Sequence, residues 1–176
     1  YALFFKPFTM IFGVSPISIA VIIGAVGFLT SIFSFATIHL IINSNTLRAI
    51  SAISLAFFVN VIGETYWQTM PIRWFFPTFI LLFCTFYEKK QLNLFTVKNY
   101  IPGFLLCSLA ILWETESGIF VAMVWACFCI LRFIKVKGLT FFHFIRLTFI
   151  HILAIACEIL FAMILMNIYN LCVGGT

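Results

Sequence analysis

From Ile17 to Ile42 the chain reads ISIAVIIGAVGFLTSIFSFATIHLII, without one Asp, Glu, Lys or Arg. A helix of roughly 20 apolar residues crosses about 30 Å of hydrocarbon with its backbone polar groups satisfied internally, and few other folds tolerate such a run. The rest of the chain has the same character. Of 176 residues, 64% are hydrophobic and 9% charged, against about a quarter charged in soluble domains. The composition therefore predicts an all-α, polytopic transmembrane helix bundle and excludes an ordinary soluble domain.

Punctuation divides the chain into about six membrane helices. Ser15-Pro16 is a capping hydroxyl followed by proline at the first helical position, which starts a helix over about 17–42, ended by Asn43-Ser44-Asn45. Further helices are expected over about 47–62, 71–87, 100–113, 118–134 and 142–169. Residues 1–13 suit an interfacial stretch or the end of an earlier helix. The chain opens on Tyr1 without a basic n-region or cleavage site, so no signal peptide is visible, and an internal part of a longer protein is expected. No repeat or linker interrupts it, which predicts a single transmembrane domain over 1–176. The six cysteines (Cys84, Cys107, Cys127, Cys129, Cys157, Cys172) all lie in or beside apolar runs and are expected as small core residues. Cys127 and Cys129 fall on different sides of a helix, against a metal site there.

If every segment crosses, the ten basic residues divide unequally between the two faces. Arg48, Lys89, Lys90, Lys98, Arg132, Lys135, Lys137 and Arg146 share one, and Lys6 and Arg73 the other. The first face is then cytoplasmic, in a cytoplasmic or ER-type membrane. The positive net charge is explained by this topology, and no nucleic-acid partner is expected. Helices two to five have about 14–16 residues between polar flanks, roughly 21–24 Å, so their outer ends are expected to be recessed around an outward-facing cavity.

Charge at such a depth is costly and marks candidate sites. The first lies in Glu64-Thr65-Tyr66-Trp67-Gln68-Thr69-Met70-Pro71-Ile72-Arg73-Trp74. Arg73 offers a planar fork suited to phosphate, Glu64 adds a carboxylate, and Trp67 and Trp74 could stack on a sugar or simply mark the membrane interface. The second is Trp113-Glu114-Thr115-Glu116-Ser117-Gly118, the turn of an apolar hairpin. Glu114 and Glu116 are candidate bases or hydroxyl-orienting groups. The plainer role, a carboxylate in the first turn of the next helix or a partner for Arg73, has about even weight for Glu116. The third is His151 and Glu158, seven residues apart and so near one face, able to relay protons or to fix packing, with packing favoured. Asn60 and Glu64 form a similar stripe, and His39 and His143 suit cytoplasmic interfaces. With no aspartate, phosphate loop or nucleophile elbow present, a nucleotide-dependent cytoplasmic enzyme is disfavoured.

Two of these patches carry a resemblance. Pro71-x-Arg73-x-x-x-Pro77 resembles the proline–arginine patch, and Trp113-x-x-Glu116-x-Gly118 the W-x-x-[DE]-x-G turn, of polytopic glycosyltransferases of the GT-C type. The resemblance covers about residues 64–131. It implies sugar transfer from a polyprenyl-phosphate carrier to an acceptor on the non-cytoplasmic face, with inversion at the sugar carbon. Arg73 would hold the phosphate, and Glu116, or an acidic residue upstream of Tyr1, would be the base; Glu114, Glu64, Trp67, Trp74 and Trp113 complete the candidate site. Members usually carry an acidic residue in the first large outer loop, and nothing before the first helix here matches it. Membrane lipid and a polyprenyl-phosphate-linked sugar are the partners implied. No cofactor is fixed by the sequence; a divalent metal ion is the candidate. A secondary transporter or channel using His151 and Glu158, and a non-catalytic subunit associated with other membrane subunits, are the alternative readings.

Overall fold

A computed structural model describes the backbone of residues 2–66, 70–92, 94, 96–137 and 141–173. Side chains are described within these ranges except at 2–5, 57–66, 70, 71, 136, 137, 141, 143 and 173. The regular structure is helical throughout: α1 (Ala2–Phe12), α2 (Pro16–Ile41), α3 (Asn45–Tyr66), α4 (Met70–Lys89), α5 (Val97–Trp113), α6 (Thr115–Lys137) and α7 (Phe141–Val173). The expected start of α2 is present in detail. Ser15 has extended backbone, its hydroxyl accepts from the Ser18 amide at 3.1 Å, and Pro16 is the first helical residue.

Among the described residues, three helical segments are long and apolar enough to cross a membrane, Pro16–Ile41, Thr115–Lys135 and Phe144–Cys172, with Val97–Trp113 a shorter apolar helix. This is fewer than the six expected. The helices run beyond the 14–16 residues expected between polar flanks: α3, α4, α5 and α6 have 22, 20, 17 and 23 residues. Helical hydrogen bonding is a backbone property and continues through charged flanks, so α4 includes Arg73 and Lys89 and α6 takes in Glu116.

The helices form two compact units, residues 1–90 and 91–176. In the first, α2 packs along α4 far more than on its neighbour in sequence, α3. Phe33 of α2 stacks on Phe79 of α4, ring centroids 4.8 Å apart, and tilts against Phe75 at 5.6 Å. Four hydroxyl residues in the body of α2 are satisfied within the helix. The hydroxyls of Thr30, Ser31, Ser34 and Thr37 donate to carbonyls four residues earlier, at 2.8–3.0 Å. No α2 residue is buried, as suits a helix mostly facing lipid.

In the second unit α5, α6 and α7 pack on one another. Its core draws on Cys107, Ala110 and Ile111 of α5, Val121, Ala122 and Trp125 of α6, and Ala162 of α7. Two glycines set the spacing. A Cβ on Gly118 would collide with the Ile111 backbone, and one on Gly103 with the Trp125 indole. Small residues at such positions let helix backbones approach closely.

Arg132, expected only as a topology anchor, is 7% exposed. It donates to the Gln91 side-chain oxygen at 3.0 Å and to the Leu92 carbonyl at 3.2 Å, tying the segment before α5 to α6. Gln91 has φ 50°, a left-handed conformation that costs a non-glycine residue about 1–2 kcal/mol and needs such support. Arg132→Ala should lose about 1.5–3 kcal/mol per charged hydrogen bond. Faster amide exchange and proteolysis around 90–96, with α7 exchange unchanged, is the expected result; unchanged exchange there would show that the segment holds itself.

All six cysteines are free thiols. Cys84, Cys107 and Cys129 are buried as expected, whereas Cys127, Cys157 and Cys172 are exposed, which corrects their reading as core residues. An apolar run marks a membrane segment without saying which of its faces meets another helix.

Candidate functional site

The hairpin turn expected at Trp113–Gly118 is tighter than the sequence suggests. α5 ends at Trp113, α6 begins at Thr115, and Glu114 alone links them. Its extended backbone, φ −155° and ψ 120°, reverses the chain while both helix ends stay hydrogen-bonded. The Glu114 amide donates to the Ala110 carbonyl at 3.0 Å, and the Glu114 carbonyl accepts from the Gly118 amide at 2.8 Å and the Ser117 hydroxyl at 3.3 Å. Gly118 permits this closure because its missing Cβ leaves room for the Ile111 backbone.

The turn sorts its candidates by depth. Trp113 is 6% exposed and forms part of the hairpin core. Glu114 is half-buried, its Oε2 withdrawn from solvent. Glu116 is exposed in the first turn of α6, where the helix dipole favours a negative charge. That placement serves a helix end and also leaves the carboxylate accessible to a ligand.

Arg73 and Trp74 lie in the first turn and a half of α4 and are exposed, Trp74 by 49%. They belong to the first unit, and Trp113, Glu114 and Glu116 to the second. Trp67 falls outside the described residues. Glu64 and Asn60 lie on α3, but their side chains, like that of His143, fall outside them too. Among the described residues no three His, Cys, Asp or Glu side chains converge.

The third candidate set is deep inside the second unit. His151 and Glu158 are 6% and 1% exposed, on the shared inward face of α7 that their spacing predicts. What the sequence did not indicate is their company. Tyr100 of α5 reaches His151, hydroxyl to Nδ1 at 3.3 Å, with ring centroids 6.0 Å apart. Tyr100 also lies against Trp125, at 5.9 Å between centroids, and within electrostatic reach of Glu158, Cys107 and Cys129. Tyrosine in an apolar helix was the one available signal, since a buried phenol needs a polar partner.

No protein-family model, curated protein or solved structure matches the chain.

Proposed function

We propose that the protein is a multi-pass membrane glycosyltransferase that moves a sugar from a polyprenyl-phosphate carrier to an acceptor hydroxyl on the non-cytoplasmic face. The observation that carries this reading is the one-residue turn after Trp113. It buries the tryptophan and glycine of the W-x-x-E-x-G sequence in the hairpin and leaves Glu116 exposed at its tip. The exposed Arg73, beside Trp74 at the start of α4, supplies the second half.

In the reaction, the Glu116 carboxylate takes the proton of the acceptor hydroxyl as its oxygen attacks the anomeric carbon. The bond from that carbon to the phosphate oxygen breaks on the opposite side, so configuration inverts. The phosphate leaves with the electron pair, and the Arg73 guanidinium neutralises it through a bidentate pair of hydrogen bonds. Trp74 can cover an apolar sugar face, and Glu114 can orient the acceptor.

The test is transfer of labelled sugar from polyprenyl-phosphate donors by the full chain in lipid. Glu116→Gln should lower transfer about 10²–10⁴-fold, the usual contribution of a general base. Arg73→Ala should do the same through the leaving group, with insertion and thermal unfolding unchanged in both. Full activity in both variants would overturn the assignment.

A further inference from the structure

We propose that Glu158, with the hydrogen-bonded pair Tyr100–His151, forms an exchangeable proton-binding site inside the second unit. The inference does not rest on sugar transfer, because none of the three residues belongs to that proposed site.

Glu158 is 1% exposed, and its Oε2 has no hydrogen-bond partner among the described residues. Nor does any Lys or Arg among them form an ion pair with it. A carboxylate in apolar surroundings is sustained only if a cation or a proton neutralises it. The groups within reach of Tyr100 are Cys107 on α5, Trp125 and Cys129 on α6, and His151 and Glu158 on α7. None is a fixed positive charge. The proton is the occupant that this chemistry takes. A metal cation would need several oxygen ligands, and the surrounding set of phenol, imidazole, indole and thiols does not supply them.

A carboxyl meant only for packing would have its oxygens hydrogen-bonded, since a buried polar group left unpaired costs about 1–3 kcal/mol. Here an oxygen is open, and a donor–acceptor pair stands two helical turns away along α7, about 10.5 Å by helical rise. The tyrosine hydroxyl and the imidazole can each accept one proton while giving up another. Protonation of the carboxylate thus forms one O–H bond, and release breaks it and passes the proton to water that enters between the carboxyl and the pair, the pair taking up one proton from that water and giving another back. A site of this kind gives the membrane unit a charge that can be switched, and proton-coupled movement of a substrate is one use of it.

The experiment is infrared spectroscopy on the full chain in lipid, following the protonated carboxyl C=O band assigned by its loss in Glu158→Gln. At neutral pH the band should be present and should shift on transfer to D₂O. Tyr100→Phe and His151→Gln should each slow that exchange about tenfold, equivalent to about 1.4 kcal/mol of barrier. Absence of the band would mean an ionised carboxylate and overturn the proposal. So would a band that never exchanges, which marks a sealed packing group, or a band abolished by sodium at constant pH, which marks a cation site. Unchanged exchange in both Tyr100→Phe and His151→Gln would remove the pair from the site.

Discussion

Gly118→Ala is expected to destabilise the second unit by about 3 kcal/mol, near the upper end of ordinary overpacking costs. The added methyl would meet the Ile111 backbone, and backbone atoms cannot rotate aside as a side chain can. Either α5 and α6 separate along their length or the one-residue turn at Glu114 is pulled open. Both outcomes disturb the buried Trp113 and the contacts of Val121 and Trp125 behind it. Gly24→Ala is the internal control, because nothing lies within 4 Å of its would-be Cβ. There the gain in helix propensity should stabilise by about 0.5–1 kcal/mol. Thermal unfolding of the two variants in the same detergent decides the matter. Equal midpoints would mean that the close approach of α5 and α6 is not what sets the hairpin. Gly103→Ala should fall between them, since its obstacle is the Trp125 side chain, which can shift only by disturbing a packed core.

The second large effect runs the other way. Glu158→Met should raise stability by about 1–3 kcal/mol, because it removes a buried oxygen with no hydrogen-bond partner while keeping an unbranched side chain of similar length. Glu158→Lys, which puts an ammonium where a neutral carboxyl sits, should unfold the unit. A residue retained for packing ought to lose stability on replacement. One retained for proton binding is kept at a cost to stability, and its replacement should be tolerated by the fold while the exchangeable carboxyl band vanishes. Loss of more than about 1 kcal/mol in Glu158→Met would show that the carboxyl is satisfied after all and would return it to a packing role.

The glycines and Glu158 also show where sequence reasoning reached its limit. The Trp113–Gly118 turn was legible because two carboxylates interrupt apolar arms, and Ser15-Pro16 because capping chemistry is local. The shared face of His151 and Glu158 followed from helical spacing, and so did the placing of Cys127 and Cys129 on different sides of a helix, though not which of the two is buried. The purpose of Gly118 was not legible. In the sequence it looked like the first residue of a helix, whereas the helix begins at Thr115 and Gly118 is the point where two backbones touch. Trp113 was read as part of the candidate substrate-binding site and lies in the core. Helix lengths were underestimated wherever charged residues sit inside a helix end.

The sequence by itself determined that the chain is helical, roughly where the helices lie, and which residues share a helical face. Each of those depends on contacts within about four residues: a backbone hydrogen bond, a cap, a turn of the helix. Only the tertiary structure decided that α2 pairs with α4 rather than α3, that Arg132 holds Gln91 and Leu92, and that Tyr100 meets His151. The reason is compositional. In a soluble helix the apolar stripe announces the buried face, but in a chain that is 64% hydrophobic nearly every face is apolar, so periodicity no longer separates a helix partner from lipid.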